Sequence, residues 1–263
     1  MSQSDTSRSI NVYLTDGSAD NLSLDEIDSI VFTENTYNYT DSLLALQRDT
    51  MNVYLTDGTI MRYSLDDVDS IVYYNSTGYI NGYAYVDLGL SVKWATCNIG
   101  ATSPESTGNR FAWGETSTKS YYMKGNSKTY EVSMSDGKDI SGDSIYDAAT
   151  ANWGSPWRMP TKDEMQELAK NCTWEWTTYN GTQGCLVTGP NGNSIFLPKS
   201  GYSYATTVNS VTQSKGSDGY YWSSTSNGGT YSSYYLYFGK TGAHNASNTI
   251  WRYYGIRIRP VSD

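Results

Sequence analysis

The chain has 263 residues, a formal net charge of −9 and 14% aromatic residues. This length allows one large or two modest domains, and an acidic balance without any basic stripe argues against a nucleic-acid partner. No run of about 18 apolar residues occurs, which excludes a membrane-spanning helix. The N-terminus has no apolar signal core, so we expect either synthesis without export or an export segment that this chain lacks.

An internal repeat occupies the first third of the chain. The motif NVYLTDG begins at Asn11 and again 41 residues later at Asn52, and each time SLDEIDSI or SLDDVDSI follows. In each copy an alternating strand leads into an Asp-Gly turn, which predicts a hairpin. A serine then precedes a short acidic helical turn and a closing strand. Because neither copy can form a core alone, we expect the two to bury their apolar faces against each other.

The segment between the copies contains a predicted short helix at Asp41–Arg48, which would bridge the repeats. The acidic residues of the repeats could suggest calcium, but neither copy has the D-x-[DN]-x-[DN]-G spacing of a calcium loop. They lie instead where the first turn of a helix favours carboxylates. We therefore interpret them as structural.

The character of the chain changes near Asn75–Asn81, where the repeat gives way to Gly-punctuated strands with many tryptophans. We place the domain boundary there. Residues 1–77 are predicted to form a β-rich region with repeat copies at about 10–32 and 51–74. Residues 78–263 are predicted to form a second, ligand-binding domain.

Six motifs of the second domain carry a family resemblance. They are YVDLGLSVKWATCNIGA at 85–101, FAWGE at 111–115, DAATANWGSPWRMPTKDEMQEL at 147–168, CTWEWT at 172–177, GPNGNSIFLPKSGY at 189–202 and YYWSST at 220–225. Together they resemble the C-type-lectin-like domains of Bacteroidetes surface proteins, the group described as the Fibrobacter major paralogous domain. The resemblance implies an α+β, C-type-lectin-like fold, preceded here by two β-hairpin/short-helix units.

One helix is predicted from its capping signals. Thr161 is suited to the N-cap, and Glu164 three residues later completes a capping box for Lys162–Asn171, with Met165 and Leu168 on the buried stripe. We assign six tryptophans to the framework rather than to a ligand platform: Trp94, Trp113, Trp153, Trp157, Trp174 and Trp176.

The cysteines and acidic residues do not match a metal site. There is no CxxC, and the single histidine lies far in sequence from all three cysteines, so we expect no zinc. Cys172 and Cys185 either form a bridge across the NGTQG turn or stay free as small apolar fillers. The acidic segment 136–147 could hold calcium, but the Glu-Pro-Asn and Gln-Pro-Asp triplets of sugar-binding lectins are absent, and we interpret it as a solvated loop. We expect no metal and no cofactor.

The C-terminal stretch 219–261 is rich in tyrosine, serine, asparagine and glycine. In SYYLYF, Tyr235 and Tyr237 alternate with Leu236 and Phe238, so a strand would send the tyrosines to one face and the apolar pair to the other. The apolar face is predicted to pack and the tyrosine face to be displayed. The same alternation is seen at Ile256, Arg257, Ile258 and Arg259. Such a composition is typical of binding loops, although tyrosine-rich exposed strands also arise from β propensity alone.

This segment also resembles the variable proteins of diversity-generating retroelements, in which adenines of chosen codons in a lectin-like C-terminal region are mutated. The resemblance implies a variable segment at about 220–255, with Leu236, Phe238, Arg252, Gly255 and the Arg259-Pro260-Val261 end kept as scaffold. Trp251 departs from the pattern, since adenine changes in an Asn codon do not yield Trp. The predicted ligand-binding residues are Tyr231, Tyr235, Tyr237, His244, Asn245, Tyr253 and Tyr254.

Three classes of function are consistent with this sequence. The first is a non-catalytic receptor-binding or adhesin-like protein on a cell or virion surface, of bacterial or phage origin, with a protein or glycan ligand. The second is a structural fimbrial or cell-surface subunit. The third is an enzyme of the formylglycine-generating type, a distantly related fold that uses cysteines late in its chain. No cysteine follows Cys185 and His244 has no evident partner, so we predict no catalytic residues and favour the first class.

Overall fold

The computed structural model describes residues 9–23, 26–33, 50–74, 78–207, 210–213 and 218–263. The chain divides into two compact units, Met1–Gly78 and Tyr79–Asp263. The helix predicted at Asp41–Arg48 lies outside the described residues. Within the described ranges, no helix is long and apolar enough to cross a membrane.

Six strands build the first unit: β1 (Ser9–Leu14), β2 (Ala19–Ser23), β3 (Ile27–Thr33), β4 (Thr50–Leu55), β5 (Ile60–Ser64) and β6 (Val68–Tyr74). β1 and β2 form one antiparallel hairpin and β4 and β5 the other. Gly17 and Gly58 both have φ 88°, which the Asp-Gly turns require and which glycine adopts without steric cost. The backbone N–H of Ser18 donates to Asp16 Oδ1, and that of Thr59 donates to Asp57 Oδ1, each at 2.8 Å.

The two repeat copies exchange their closing strands. β3 of the first copy pairs with β4 of the second, and β6 of the second pairs with β1 of the first, which gives sheets in the orders β2-β1-β6 and β3-β4-β5. Reciprocal backbone bonds join the copies, from Thr15 N–H to the Asp67 carbonyl at 3.0 Å and from Thr56 N–H to the Glu26 carbonyl at 2.8 Å. Each sheet is therefore completed by a strand of the other copy.

The core of the first unit consists of three repeat-equivalent pairs. Its buried residues are Ile10 with Met51, Val12 with Val53, and Leu22 with Tyr63. The second copy also forms its predicted helical turn, as a single 3-10 turn at Leu65–Asp67 preceded by Ser64. The equivalent turn of the first copy lies partly outside the described residues.

The second unit contains thirteen of the strands in the described residues and two α-helices. The elements are β7 (Gly78–Ile80), β8 (Tyr83–Val86), β9 (Lys93–Ala95), β10 (Met134–Asp139), α1 (Ala148–Trp153), α2 (Lys162–Asn171), β11 (Thr173–Tyr179), β12 (Thr182–Thr188), β13 (Ser194–Pro198), β14 (Ser203–Thr207), β15 (Ser210–Gln213), β16 (Gly219–Gly229), β17 (Ser232–Phe238), β18 (His244–Trp251) and β19 (Val261–Ser262). They form sheets in the orders β10-β16-β17-β18, β11-β12-β13, β14-β15 and β19-β9-β8-β7.

The predicted α+β class is wrong. The described residues form several antiparallel sheets with only two α-helices, of six and ten residues, so the protein is mainly β. The physical reason lies in the period of the sequence. Short apolar or alternating runs between Gly-containing turns favour strands, and only 162–171 combines a helical apolar stripe with a capping box.

That one strong helical signal is confirmed. Thr161 Oγ1 accepts from Glu164 N–H at 3.2 Å, and Glu164 Oε2 accepts from Thr161 N–H at 2.8 Å, so the capping box closes in both directions. Met165 and Leu168 are fully buried. They pack in the same core as Leu236 and Phe238, which places α2 against one face of the β16–β18 sheet.

The β16–β17 pair has a core on each of its two faces. Tyr221, Leu236 and Phe238 point into the core that contains α2. Trp222 and Tyr235 point into a second core with Trp113 and other tryptophans. The framework role predicted for the tryptophans is confirmed, since four are buried and the other two pack against the first core: Trp94, Trp113, Trp153 and Trp157 are buried, and Trp174 and Trp176 are partly buried.

Candidate functional site

An extended cluster of aromatic rings lies at the edge of the second core. Consecutive members are joined by ring contacts with centroid separations between 4.9 and 6.1 Å. The members of this tyrosine cluster are Tyr130, Tyr202, Tyr204, Tyr220, Tyr231, Tyr235, Tyr237, Trp251, Tyr253 and Tyr254. It therefore includes all five tyrosines that the sequence predicted as ligand-binding.

Tyr220 on β16 connects one half of the tyrosine cluster. Its ring stacks on Tyr235 at 5.5 Å and meets Tyr237 edge-on at 5.6 Å. It also meets Tyr202 edge-on at 5.0 Å. These three neighbours come from β17 and from the segment that leads into β14. Adjacent strands thus place the rings on one face, because directly opposed residues share a face of the sheet.

Tyr254 connects the other half. Its ring stacks on Tyr204 at 5.0 Å and on Tyr202 at 5.2 Å, and it meets Tyr253 edge-on at 4.9 Å. Trp251 in turn stacks on Tyr253 at 5.6 Å. Stacked and edge-on pairs at these separations stabilise the arrangement beyond the area that they bury, so the rings form a rigid surface.

The exposed members of the cluster are Tyr231, 51% exposed, and Trp251, 45% exposed. Tyr237 and Tyr254 are half-buried. Tyr130 joins Tyr231 to Tyr253 through ring contacts at 5.2 and 5.0 Å. A large molecule approaching this surface would meet Tyr231 and Trp251 first.

The predicted display of Tyr235 and Tyr253 is wrong. Tyr235 is only 9% exposed and Tyr253 only 5% exposed. The alternation in SYYLYF does separate Tyr235 from Leu236, but both faces of β17 are covered by a core. These two tyrosines support the surface from below, and other members of the cluster form its outer layer.

His244 and Asn245 lie on opposite faces of β18. Asn245 is exposed and is paired with Tyr237 in the sheet register, so it shares the face of the tyrosine cluster. His244 is paired with Phe238 and its ring stacks on Trp174 at 4.9 Å. The structure therefore brings Asn245 towards the predicted surface and places His244 away from it.

A buried arginine holds the middle of the cluster. Arg252, 0% exposed, follows Trp251 and precedes Tyr253 in the chain. Its Nη2 donates to Ser226 Oγ at 2.7 Å and its Nε donates to Ser233 Oγ at 3.0 Å. Its guanidinium also lies over the Trp113 ring, 4.7 Å from the centroid. These bonds join β16, β17 and the segment after β18, and so fix the directions of the flanking rings.

The alternation of isoleucines and arginines at the C-terminus also does not predict which side chains are exposed. Arg259, expected on the exposed side, is 1% exposed. Its Nε donates to Asn98 Oδ1 at 2.8 Å and its Nη2 donates to the Phe196 carbonyl at 2.9 Å. The side chain of Arg259 is long enough for its guanidinium to reach acceptors inside the fold. The pattern of polar and apolar residues in the sequence does not predict this burial.

Five phenols of the cluster are uncharged at neutral pH. Burial raises the pKa of Tyr220, Tyr235, Tyr253 and Tyr254 above the ordinary value, and neighbouring phenols raise that of Tyr220 further. For Tyr237, burial and the nearby Asp218 carboxylate raise the pKa. The surface thus offers aromatic faces and neutral hydroxyls. The exposed Lys124 provides a nearby cation, with its Nζ 5.4 Å from the Trp251 ring centroid.

Sequence reasoning missed half of the cluster. The predicted ligand-binding residues do not include Trp251 or four of the clustered tyrosines: Tyr130, Tyr202, Tyr204 and Tyr220. One signal was available in SGYSYAT, where Tyr202 and Tyr204 alternate with small residues as they would on one face of a strand. Their proximity to the C-terminal rings depends on strand packing, which the sequence does not reveal.

The cysteines and carboxylates of the second unit have structural environments. Cys97, Cys172 and Cys185 are free, so the Cys172–Cys185 bridge does not form. Burial raises the pKa of Cys172 to about 11 and that of Cys185 to about 12, which keeps both thiols protonated at neutral pH. Among the described residues no group of three His, Cys, Asp or Glu could hold a metal ion.

The acidic residues of segment 136–147 have two roles: one caps a helix and others line a cleft. Asp147 is buried and caps α1, accepting from Ala149 N–H at 2.7 Å and from Thr150 N–H at 3.2 Å. Asp136 and Asp139 instead line a cleft of about 350 Å³. The other residues that line this cleft are Gly137, Thr161, Lys162, Asp163, Thr225 and Tyr234.

Comparison with known proteins found no match among protein-family models, curated proteins or solved structures.

Proposed function

We propose that this protein is a non-catalytic binding protein, of the receptor-binding or adhesin type, whose ligand contacts the tyrosine cluster. The observation that carries the proposal is the continuity of ten aromatic rings, with Tyr231 and Trp251 exposed and Tyr235 and Tyr253 buried beneath them. Tyrosine and tryptophan provide large contact areas at low entropic cost, and such residues dominate the energetic hot spots of interfaces.

The chemistry of the surface supports recognition of a neutral or weakly polar target. Burial raises the pKa of Tyr220 and Tyr253, so these uncharged phenols can donate and accept hydrogen bonds and do not repel an acidic ligand. The exposed amide of Asn245 adds a polar contact beside Tyr237. Both a protein and a glycan ligand fit this description. The resemblance of the sequence motifs to lectin-like surface domains supports a location on a cell or virion surface as part of the proposal.

Diversification by a retroelement is part of the proposal. The resemblance to variable proteins assigns Tyr235, Tyr237, Tyr253 and Tyr254 to substituted positions, and Arg252 and Phe238 to scaffold. The burial of Arg252 and Phe238 supports their assignment, because replacement there would damage the fold. The test is the DNA beside the gene: a near-copy of its 3′ end that differs only at adenines, next to a reverse transcriptase, is the expected finding, and a locus without one contradicts this part.

Binding is tested on an array of defined oligosaccharides and with a displayed random-peptide library. Tyr231→Ser and Trp251→Ala should each weaken binding of the selected oligosaccharide or peptide about 30-fold or more, as expected for hot-spot residues. Tyr146→Ser is the matched control, since Tyr146 is 39% exposed and has no ring contact to the cluster. Unchanged affinity in both cluster variants, or equal loss in the control, would contradict the proposal.

Chelation separates this proposal from a calcium lectin. Because the described residues provide no metal-binding group, binding of the selected oligosaccharide or peptide should be unchanged in EDTA. Loss of binding in EDTA at an unchanged melting temperature would indicate a calcium-dependent site instead.

A further inference from the structure

Arg110 and Arg257 are neighbours across the antiparallel bridge between Phe111 and Ile256, and neither has an acidic partner among the described residues. Arg257 Nη2 donates to Thr107 Oγ1 at 3.1 Å, and its Nη1 donates to the Gly108 carbonyl. Arg110 Nη2 donates to the Ser200 carbonyl at 3.2 Å. Within the part of the chain that the structure describes, no ion pair includes either arginine.

Both guanidinium groups have unused hydrogen-bonding capacity. The Nε–H of Arg110 and that of Arg257 are buried and have no partner. Arg110 Nη1 makes no hydrogen bond to the described residues and is not fully buried. Unsatisfied N–H groups on a charged side chain are costly, and native structures rarely leave them without a purpose.

The remaining arginines of this unit show how guanidinium groups are otherwise satisfied. Arg158 Nη2 lies 2.6 Å from a carboxylate oxygen of Glu164 and 2.6 Å from one of Asp263. In Arg259, Nε, Nη1 and Nη2 all donate to oxygens of the fold. The pair of Arg110 and Arg257 has neither a carboxylate partner nor a full set of acceptors.

The two positive charges also repel each other. Burial first, and then the neighbouring charge of Arg110, lowers the pKa of Arg257 to about 10. Burial likewise lowers the pKa of Arg110. Both side chains remain charged at neutral pH, and an anion bound beside them would offset the repulsion.

We infer that Arg110 and Arg257, together with the Thr107 hydroxyl, bind one oxyanion group: a carboxylate, a sulfate or a phosphate. Guanidinium groups present paired N–H donors whose spacing matches two oxygens of such a group. The Nη1 of Arg110, which is not fully buried, receives the anion, which then neutralises the charge beside Arg257. This site is independent of the proposed function, because neither arginine belongs to the tyrosine cluster.

Sodium sulfate, sodium phosphate and sodium acetate serve as probes in a titration of the whole chain at constant ionic strength, with sodium chloride as the reference. The readout is the set of arginine Nε–H signals in ¹H–¹⁵N spectra. The signals of Arg110 and Arg257 should shift and saturate with sulfate or phosphate, or with acetate if the site prefers a planar carboxylate. No saturable shift with any of the three probes would overturn the inference.

Three glutamine variants and one lysine variant locate the effect. Arg110→Gln and Arg257→Gln should each weaken the affinity about tenfold or more, since each removes charge-assisted hydrogen bonds. Arg62→Gln makes the same charge change at an exposed position of the first unit and should leave the affinity unchanged. Equal weakening in all three variants would show non-specific screening and overturn the site. Arg110→Lys keeps the positive charge but removes the paired N–H donors of the guanidinium. This variant should retain a folded spectrum and bind the anion with intermediate affinity.

One internal group could replace the external anion. Glu105 lies in the same loop as Thr107 and Gly108, and its Oε2 is buried without a partner. If Glu105 neutralises the pair in solution, sulfate will bind only to Glu105→Gln and not to the unaltered chain. That result would overturn the inference, whereas equal sulfate affinity with and without Glu105 would support it.

Discussion

The first unit and the β16–β18 sheet use the same alternating pattern in different ways. In the first unit the inward residues of β1 and β4, such as Val12 and Val53, pack against their counterparts in the other copy. In the second unit β17 lies between two cores, so that both Tyr235 and Leu236 are buried. Alternation therefore identifies which residues share a face, but it does not reveal whether the opposite face meets water or another layer.

The largest effect is expected where β17 meets the core that contains α2. Phe238→Ala should lower the free energy of unfolding by about 3–5 kcal/mol, because the ring is fully buried and its removal leaves a cavity. The Phe238 ring also fills the space beside Gly219, where a Cβ would come within 2.0 Å of it. Denaturant unfolding measures the change. A loss below about 1 kcal/mol would mean that this face of β17 is not a core.

The second effect tests the opposite face of the same strand. Tyr235→Ala should cost about 3 kcal/mol, since the ring is buried among Trp222 and Tyr220, whereas Tyr237→Ala at the half-buried edge should cost less than about 1 kcal/mol. Both variants are compared by denaturant unfolding under the same conditions. Equal, small losses of unfolding free energy would support the original prediction, in which only one face of β17 packs against a core and both tyrosines are exposed.

The third effect tests the symmetry of the repeat. Val12→Ala and Val53→Ala remove the same two methyl groups from equivalent positions that are 0% and 1% exposed, so each should cost about 2 kcal/mol. The two losses should agree within about 0.5 kcal/mol, because each copy completes the sheet of the other. Thermal unfolding of the two variants measures the difference. Clearly unequal losses would show that one copy dominates the core.

Local signals predicted several elements well. The two Asp-Gly turns form between the predicted strands, and the capping box at Thr161 and Glu164 marks the start of α2. Such signals succeed because they depend on neighbours within a few residues, where backbone geometry and short-range hydrogen bonds decide the outcome. The α+β class, which the family resemblance implied, was wrong because the apolar pattern of most of the second domain favours strands, and the described residues form antiparallel sheets with two short α-helices.

The candidate site was predicted only in part. The five C-terminal tyrosines of the prediction do share one cluster, but Tyr202 and Tyr204 join it from β14 and its entry, and Tyr130 joins from a loop more than a hundred residues earlier in the chain. His244 and Asn245 were predicted to share the surface, but they are adjacent residues of β18 and so point to opposite faces, with His244 opposite Phe238 and Asn245 opposite Tyr237.

The sequence by itself determined the elements whose causes are local: the repeat and its turns, the capped helix, and the pairing of residues on each face of β17. Only the tertiary structure decided which faces are covered, since burial depends on the layers that long-range packing brings together. The same packing buries Arg252 and Arg259 against carbonyl and hydroxyl oxygens and leaves Arg110 and Arg257 with unused donors. A guanidinium finds its acceptors from distant parts of the chain, and no pattern of neighbouring residues encodes that meeting.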